Sequence, residues 1–515
     1  MTKQLPENLN GVHIHFVGIK GTGMAALVEI LFHAGAVITG SDVAERFYTD
    51  EILEKLGLKA LSFSGNNITD KIQYVVYSSA YKLDKNPDLI AAVKKNIPCL
   101  LYTEALGSYS ERAYSCGICG VHGKTSTTGL TGTILKELNL PSQVLAGSVI
   151  NSFGGTCTYT SPLIAEKERN QGDEASSENA QNFNGKNIFV AETCEYQRHF
   201  MSFCPKKIIL TSVESDHQDY YPTYEDIRDA FVDYICKLPE NGELIYCADD
   251  KGAVETASIA GKKRPDIKMI PYGQNAKGDY RLSFGKVENE KNCFKLELFK
   301  NCGELAIAVP GKHEVMDAAA AVALCSELLR DAGIDPLSNY QNISRGLINF
   351  TGGKRRSEIV GRFKTKSGND VVVVDDYGHH PTAVKTTLEG FREFYKGRKI
   401  IVDFMSHTYS RTQALLKEFA SCFKSADEII LHKIYSSARE NPADFNITGR
   451  TLYEEVLKTG IEENRVHYFE EILDAKDKVL ELLDAPLTGA YPDGFLFVTM
   501  GAGDNWKLGK AILEQ

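Results

Sequence analysis

Short apolar runs alternate with longer amphipathic stretches along the first part of the chain. VHIHFV at 12–17 is typical of a strand, and GIKGTG and the helical pattern MAALVEILFHAG follow it. The next strand, AVITG, ends in Ser41-Asp42, and a helix near 50–57, a strand at YVVYSSA and a helix near 87–95 continue the alternation. Strands that alternate with helices of about ten residues predict βαβ units and a parallel sheet.

The same alternation begins again twice further along the chain. AYSCGICG is a strand that leads through a glycine loop into the helix KTSTTGLTGTILKEL, and the strands NIFVAET and KKIILTSV and the helix YEDIRDAFVDYICKL come later. Between about 280 and 310 the apolar positions repeat every second residue, which indicates antiparallel hairpins before the helix EVMDAAAAVALCSELL. From VVVVDDYG onward, the strands KIIVDF, EIILH, VHYFE and FLFVTMGAG again alternate with helices.

This pattern predicts an α/β protein of three successive units. A length of 515 residues suits about three domains of roughly 150 residues each, and we expect their boundaries at 1–111, 112–352 and 353–515. Rossmann-like sheets are expected in the first and third domains, and a P-loop-type α/β domain with antiparallel β hairpins in the second. The polar stretch 161–187 is rich in Asn, Ser and Glu, so we expect a mobile surface insertion without chemistry of its own.

Composition narrows the class of protein. Hydrophobic residues make up 43% of the chain, and the formal net charge of -10 argues against a nucleic-acid binder that relies on bulk positive charge. No apolar run reaches the roughly 18 residues of a membrane span, and MTKQLPENLN lacks the apolar region of a signal peptide. We therefore expect a cytoplasmic protein without membrane insertion, whose 12 cysteines are reduced and mostly packed in the core.

The stretch CGICGVHGKTSTTG at 116–129 contains two candidate sites. Gly120 to Thr125 read G-x-x-G-K-T, which is a phosphate loop with one spacer fewer than G-x-x-x-x-G-K-[ST]. Between a strand and a helix, its backbone amides would hold phosphates, Lys124 would offset β- and γ-phosphate charge, and Thr125 would bind Mg²⁺. Cys116 and Cys119 form a C-x-x-C, but no second pair stands at zinc-finger spacing, so we expect buried packing cysteines rather than a redox or metal site.

GIKGTG forms a second candidate phosphate site, because it follows a strand and opens a helix. Gly18, Gly21 and Gly23 permit tight turning and close backbone approach, the helix N-terminus favours a pyrophosphate, and Asp42 can accept a hydrogen bond from a ribose hydroxyl. We expect a nucleotide or nucleotide-diphosphate site here, and the alternative is a plain βα turn.

Polar clusters also follow other strands. Glu192 in ETCEYQRHF and His217 in ESDHQDYY lie at strand ends, where open α/β sheets bind ligands, so we expect both to converge with Thr125 on one metal ion. The arginine pair in FTGGKRRSE suits bidentate contact with phosphate. DDYGHHPT at 375–382 contains two acids and two histidines, and capping of the next helix would explain only one of these four residues.

The ordered set of motifs is similar to that of the Mur ligases, and most similar to the members that add L-alanine in peptidoglycan synthesis. The resemblance runs from about Gly18 to Gly503, interrupted only at 161–187. Its motifs are G-x-x-G-x-G-M, G-x-H-G-K-T-x-T-T, E-x-C-E-Y-x-R-H-F, S-D-H-x-D-Y-Y, F-x-G-x-x-R-R-x-E, D-D-Y-G-H-H-P-T, H-T-Y-S-R-T and G-A-G-D. The short phosphate loop is itself a feature of this family.

The resemblance implies an ATP-dependent amide ligase with Mg²⁺, or alternatively Mn²⁺, as cofactor. The lactyl carboxylate of UDP-N-acetylmuramate would attack the γ-phosphate of ATP, and L-alanine would displace phosphate from the resulting acyl phosphate. The first domain would bind the UDP-sugar, the second would bind ATP, and the third would close over the site. We expect these small-molecule partners, no nucleic acid, and a monomer or a homodimer.

The resemblance also assigns residues by motif. Catalysis is assigned to Lys124, His217, Glu192 and Arg356, and the metal to Thr125, Glu192 and His217. ATP is assigned to Gly120, Val121, His122, Gly123, Lys124, Thr125, Ser126, His313, Asp317 and Arg356. The UDP-sugar is assigned to Gly18, Lys20, Gly21, Thr22, Gly23, Asp42 and Ser78. The amino-acid side is assigned to His379, His380 and Arg411, together with SARE at 437–440.

Some positions depart from the family pattern. Glu314 and Asp317 stand where asparagine is usual, which puts adenine recognition at Asp317 in doubt. Lys20 stands where glycine is common, and its ammonium would then reach a UDP phosphate. DFMSH replaces a more usual F-Q-P-H, which leaves contacts of the third domain open.

Three rival functions stay open at this point. The nearest is the recycling ligase that adds a whole tripeptide to the same UDP-sugar. The pattern of Cys194-Glu195-Tyr196 and Arg198-His199 favours the alanine-adding enzyme over this ligase. A nicotinamide dehydrogenase would use GIKGTG but leave GVHGKTSTT unexplained. A nucleotide switch would bind ATP and form no acyl product.

Overall fold

The computed structural model describes residues 4–164, 183, 185–217, 220–436 and 440–514. The expected insertion at 161–187 lies mostly outside these residues, as do Ser437, Ala438 and Arg439 of the SARE motif. The chain divides into two compact units, which we describe separately. Unit 1 comprises residues 1–285, 294–307 and 313–350, and unit 2 comprises residues 286–293, 308–312 and 351–515.

Unit 1 begins with a four-stranded parallel sheet in the order β2-β1-β3-β4. Its strands are β1 His13–Val17, β2 Val37–Ser41, β3 Tyr74–Tyr77 and β4 Cys99–Leu101. Its helices are α1 Thr22–His33, α2 Thr49–Lys55, α3 Pro87–Lys94 and α4 Tyr102–Ser110. Local chemistry sets where helices begin: Asn86 caps α3 through its side chain and Pro87 occupies the first turn, where a missing amide hydrogen costs nothing.

A seven-stranded sheet in the order β11-β10-β9-β5-β8-β6-β7 follows in unit 1. The strands are β5 Tyr114–Cys119, β6 Ser142–Ile150, β7 Thr156–Thr160, β8 Ile188–Glu192, β9 Lys207–Leu210, β10 Glu243–Cys247 and β11 Lys268–Tyr272. Only the β6–β7 pair at the edge is antiparallel among these pairings. The helices are α5 Lys124–Glu137, α6 Tyr224–Ile235, α7 Lys251–Lys263, α8 Lys312–Asp331 and α9 Tyr340–Asn349.

The expected hairpin region forms a three-stranded sheet of β12 Leu282–Glu288, β13 Lys291–Leu296 and β14 Leu305–Ile307. Asn289 and Glu290 alone join β12 to β13, and both have φ of 52°. Two residues with positive φ make a tight hairpin turn, so this pair is antiparallel, as the period of two predicts.

Unit 2 contains a six-stranded sheet in the order β15-β16-β20-β17-β18-β19. Its strands are β15 Glu358–Lys364, β16 Asp370–Asp376, β17 Arg398–Phe404, β18 Glu428–Leu431, β19 Val466–Tyr468 and β20 Gly494–Met500. Its helices are α10 Pro381–Phe394, α11 Tyr409–Ala414, α12 Leu416–Ser421, α13 Gly449–Leu457, α14 Lys476–Asp484 and α15 Trp506–Leu513. The pairing of β15 with β16 is antiparallel, and the other pairings of this sheet are parallel. The continuous apolar run 371–374 is buried throughout, because helices cover both faces of the sheet.

The predicted α/β class and the order of strands and helices are confirmed. The pattern missed the edge strands β7 and β15, the strand β6 between β8 and β7, and the strands β4, β10 and β11. The sequences of β6, β7 and β15 mix apolar residues with Gly, Ser, Thr and charges. In the part of the chain that the structure describes, no helix is long and apolar enough to cross a membrane.

Candidate functional site

The phosphate loop joins β5 to α5 through backbone conformations that favour glycine. Gly120 has φ of 135° and Gly123 has φ of 80°. A Cβ on Gly120 would stand 2.0 Å from the Thr211 hydroxyl, and one on Gly123 would stand 2.4 Å from an Asp317 carboxylate oxygen. The end of β9 supports the loop, because the backbone amides of Val121 and His122 donate to Ser212 at 3.0 Å and 2.9 Å. The sequence therefore builds an open turn that ends at a helix N-terminus.

The ammonium of Lys124 lies inside this turn. Its Nζ donates to the Gly120 carbonyl at 2.6 Å and to both oxygens of Glu195 at 3.1 Å and 3.0 Å. Burial lowers the pKa of Lys124, but the carboxylates of Glu195 and Glu192 outweigh it, so the net pKa is raised. Lys124 therefore stays protonated, as a phosphate-binding lysine must.

Glu195 is the residue that sequence reasoning missed, although it lies in the ETCEYQRHF motif. Its carboxylate is 2% exposed. Burial raises the pKa of Glu195, but Lys124 and the hydrogen bond from His217 outweigh it and hold the pKa at about 2. The Nε2 atom of His217 lies 3.3 Å from Glu195 Oε1, and this hydrogen bond raises the pKa of His217 despite burial. His217 therefore contacts Glu195, whereas its predicted convergence on Glu192 stays a prediction.

Glu192 and Thr125 lie together as predicted. Thr125 Oγ1 donates to Glu192 Oε2 at 2.9 Å, and the Gly147 amide donates to the same oxygen at 2.7 Å. A hydroxyl and a carboxylate are the hard oxygen ligands that Mg²⁺ prefers, with the remaining positions left to phosphates and water. Among the described residues, no group of three or more His, Cys, Asp or Glu could hold a metal ion, so a metal here would depend on nucleotide oxygens.

Helix α8 places two further carboxylates on the loop. Ser126 Oγ donates to Glu314 at 2.9 Å, and Asp317 packs against Gly123. His313, at the start of the helix, lies 3.8 Å from Glu314. Glu314 and Asp317 thus contact the phosphate loop itself, and the predicted contact of His313 and Asp317 with the base of ATP stays a prediction.

The C-x-x-C beside the loop is buried. Cys116 and Cys119 lie on β5, are both fully buried and form no disulfide. Their spacing of three places them on opposite faces of the strand. Burial raises the pKa of Cys116 to about 12 and also raises that of Cys119, so neither thiol has the thiolate character of a redox site. The expectation of packing cysteines is confirmed.

Tyrosines enclose the first glycine loop, which runs from β1 to α1. Gly18 has φ of 85°, and a Cβ there would stand 2.7 Å from the Tyr81 ring and 3.2 Å from Ser78. A Cβ on Gly23 would stand 2.9 Å from the Tyr102 ring. Gly21 precedes α1, and among the described residues no side chain caps this helix, so no capping side chain competes with an anion for its first amides. The sequence pattern gave no signal for either tyrosine.

The carboxylate of Asp42 accepts hydrogen bonds from residues in and around this loop. Its Oδ2 accepts from the Lys20 amide at 2.7 Å, and its Oδ1 accepts from the Val43 amide at 2.8 Å and from Tyr81 OH at 3.2 Å. The predicted contact of Asp42 with a ribose stays a prediction. The Lys20 Nζ donates to the Glu45 carbonyl at 2.8 Å and lies 3.2 Å from Asp50, and its predicted contact with a UDP phosphate stays a prediction. Thr22, also assigned to this site, hydrogen-bonds Tyr48 OH at 2.5 Å.

In unit 2 the arginine pair has two different environments. Arg355 donates to Asp375 at 2.8 Å and to the Gly501 carbonyl at 2.6 Å, so it ties the strand ends together. Both guanidinium groups lie over the ring of Tyr377, at 5.3 Å from its centroid for Arg355 and 5.5 Å for Arg356. Arg355 therefore has an internal structural role, and the predicted contact of Arg356 with phosphate stays a prediction.

The two histidines of DDYGHHPT have different hydrogen-bond partners. His380 accepts from the Thr382 amide at 3.3 Å and caps α10. The Nδ1 atom of His379 donates to the Tyr377 carbonyl at 3.0 Å. Burial, then the nearby Arg411, lowers the pKa of His379 to about 4, so this imidazole is neutral near pH 7. Of the SARE motif, the described Glu440 accepts from the Tyr409 amide at 2.8 Å at the start of α11.

Family models match three consecutive segments of the chain. The Mur ligase family catalytic domain matches residues 13–114, the Mur ligase middle domain matches 118–325, and the Mur ligase glutamate ligase domain matches 361–502.

Curated relatives match over nearly the whole length. The UDP-N-acetylmuramate–L-alanine ligase of Treponema pallidum is 44% identical over 512 residues, 99% of this chain and 98% of that protein. The ligase of the same name from Borreliella burgdorferi is 35% identical over 96% of this chain and 97% of that protein.

Solved structures share the fold. A UDP-N-acetylmuramate–alanine ligase from Thermotoga maritima matches with a TM-score of 0.70 and 22% identity over 98% of both chains. A murein peptide ligase from Psychrobacter arcticus matches with a TM-score of 0.59 and 20% identity over 98% of both chains.

Proposed function

This chain belongs to the Mur ligase family, and from that premise we propose that it joins L-alanine to the lactyl carboxylate of UDP-N-acetylmuramate. The reaction consumes ATP and releases ADP and phosphate, in peptidoglycan synthesis. ATP as a substrate suits the cytoplasmic location that we expect.

The observation that carries this proposal is the phosphate loop with Lys124 inside it and Glu192 beside it. A carboxylate is a poor electrophile, and phosphorylation gives it a leaving group. Lys124 would hold the β- and γ-phosphates, and the amides at the N-terminus of α5 would face the same charge. The amine of L-alanine would then attack the acyl phosphate, and phosphate would leave with the bonding electrons of the carbon–oxygen bond.

Charge around the loop supports a divalent cation as cofactor. Glu192, Glu195, Glu314 and Asp317 all contact loop residues, and a polyanionic nucleotide would be repelled there without added positive charge. Thr125 and Glu192 would hold Mg²⁺ or Mn²⁺, with His217 as a further ligand. The cation would offset charge on the phosphates during transfer.

The remaining assignments follow the family motif. The loop at Gly18, Gly21, Thr22 and Gly23 would bind the diphosphate of the UDP-sugar, beside Ser78. Arg356 would contact the transferring phosphate, and His379 and Arg411 would act on the amino-acid side. The neutral state of His379 suits contact with an incoming amine, which must be unprotonated to attack. His380 caps a helix, so its part on that side is the least supported.

The second candidate is the recycling ligase that adds a tripeptide to the same sugar. The murein peptide ligase from Psychrobacter arcticus shares the fold at 20% identity, whereas the L-alanine ligases reach 44% over nearly the whole chain. The alanine reaction is therefore favoured.

The test is phosphate release measured with ATP, UDP-N-acetylmuramate and an amino acid, each omitted in turn. We expect release only with all three present, and faster release with L-alanine than with glycine, L-serine or the tripeptide. Phosphate release at the same rate with and without the UDP-sugar would refute the proposed ligase activity. Faster release with the tripeptide than with L-alanine would favour the recycling enzyme.

A further inference from the structure

Two polar groups of Lys20 bond to the loop that follows β2, and the third bonds to the first residue of α2. We define the aromatic loop as residues 42–48, which join β2 to α2. The Lys20 amide donates to Asp42 at 2.7 Å, its ammonium donates to the Glu45 carbonyl at 2.8 Å, and its carbonyl accepts from Thr49 Oγ1 at 2.5 Å. A glycine would keep the first and third of these bonds but lose the second.

The ammonium of Lys20 is anchored from several sides. Its side chain is 7% exposed, Nζ lies 3.2 Å from Asp50 Oδ1, and Nζ stands 5.9 Å from the centroid of the Phe47 ring. The other oxygen of Asp50 accepts from the Phe47 amide at 2.7 Å. Lys20 and Asp50 thus hold the same end of the aromatic loop through charge, hydrogen bonds and a cation–π contact.

The aromatic loop reaches the N-terminus of α1. Tyr48 OH and Thr22 Oγ1 are 2.5 Å apart, and Thr22 is the first residue of the helix that we assign to the UDP-sugar diphosphate. Phe47 and Tyr48 are nevertheless 40% and 37% exposed. A loop with two exposed aromatic rings would lose its order easily without an internal tether, and ordering it on binding would weaken affinity.

We propose that Lys20 is a positioning residue whose ammonium fixes the aromatic loop against the N-terminus of α1 and so presets the nucleotide-sugar site. This deepens the proposed function and rests on it for the identity of the ligand. The ammonium acts on the loop and does not itself contact the UDP phosphates.

The first experiment compares Lys20→Met with Lys59→Met, an exposed lysine beside the same loop. For Lys20→Met we expect the KM for UDP-N-acetylmuramate to rise about tenfold, the equivalent of ~1.4 kcal/mol of ordering. We expect the KM for ATP and the kcat at saturating sugar to stay within about twofold, and Lys59→Met to match wild type. An unchanged KM for the sugar in Lys20→Met overturns the proposal.

Asp50→Asn separates positioning from direct phosphate contact. If Lys20 positions the loop, Asp50→Asn raises the same KM, and the double variant with Lys20→Met shows less than the sum of the two effects. If the ammonium instead binds phosphate, releasing it from Asp50 leaves the KM unchanged or lowers it, and the proposal is wrong.

Hydrogen exchange tests the tether without the ligase reaction. In the unliganded Lys20→Met protein, amides of the aromatic loop should exchange faster than in wild type, while those of α3 should not change. Equal exchange in the loop overturns the proposal even if the protein is an active ligase. Faster exchange supports the tether even if wild type fails to ligate L-alanine, in which case the proposed function fails separately.

Discussion

Lys124 and Glu195 form a charge pair at the phosphate loop. Because Glu195 compensates the charge of Lys124, a γ-phosphate bound as we propose would replace one anionic partner of the lysine by another, and the lysine would not be left buried and unpaired. The bridge from Glu195 to His217 connects this exchange to the candidate metal ligands.

Replacing Lys124 tests the assignment of the loop. We expect Lys124→Met to lower kcat/KM for ligation by at least about 100-fold, because it removes a charge directed at the transferring phosphate. Lys136→Met, at the exposed end of the same helix, is the control and should stay near wild type. Steady-state phosphate release measures both, and an active Lys124→Met protein would contradict the assignment.

The buried cysteines give the opposite prediction. The double variant Cys116→Ala, Cys119→Ala should keep ligase activity within about twofold and unfold at a slightly lower temperature, because it only removes packed sulfur atoms. Thermal unfolding and phosphate release measure the two effects. A folded variant that binds ATP and has lost catalysis would revive a thiol function.

At the scale of elements, helix α4 packs on the turn Tyr196–Ser202 that follows Glu195. Gly107 makes this approach possible, since a Cβ there would stand 2.2 Å from the Ser202 carbonyl oxygen. Backbone cannot move aside as a flexible side chain can, so the close approach fixes where the turn lies.

We expect Gly107→Ala to lower the free energy of unfolding by about 1–3 kcal/mol through overpacking. Gly261→Ala in α7 is the matched control. Its new Cβ would meet the flexible end of Met269 at 2.9 Å, so the gain in helix propensity should leave stability equal or up to about 1 kcal/mol higher. Denaturant unfolding compares the two, and an equal effect of both variants would contradict the packing argument.

At the scale of the whole molecule, unit 1 places a carboxyl group where its two sheets meet. Helix α1 packs against β6 and β7, and Glu29 on this helix is 4% exposed. Burial raises the pKa of Glu29 to about 7 from 4.5, while hydrogen bonds with Thr158 and the Cys157 backbone and the charge of Lys55 oppose the shift.

This shift predicts a pH-dependent stability. Below pH 4.5 both states bind the proton, and as pH rises through about 7 the unfolded state has already lost it. The free energy of unfolding therefore falls across this range by an amount on the order of 3 kcal/mol. Glu29→Gln should flatten that slope and be more stable than wild type at pH 8, while the exposed Glu51→Gln should keep it. Urea unfolding from pH 5 to 8 measures the slope, and an unchanged slope in Glu29→Gln would show that Glu29 is not its source.

The sequence by itself determined the elements and the local turns of this protein. Periodicity identified the parallel sheets, because a buried strand and an amphipathic helix leave different spacings of apolar residues. The backbone conformation of the loop from Gly120 to Thr125 could also be predicted from the sequence, since it depends on glycines within the loop itself. Strands β6, β7 and β15 were not predicted, because their mixture of apolar, small polar and charged residues leaves no regular spacing of apolar positions.

Only the tertiary structure decided which partners the site residues take. Lys124 pairs with Glu195, 71 positions away, and no local pattern distinguishes that carboxylate from Glu192. The sequence did not show side-chain directions either. Lys20 faces Asp50, Arg355 hydrogen-bonds to Asp375 and Gly501, and His380 caps its own helix. Local sequence sets backbone conformation, but side-chain pairing depends on which segments the folded chain brings within about 3 Å for a hydrogen bond.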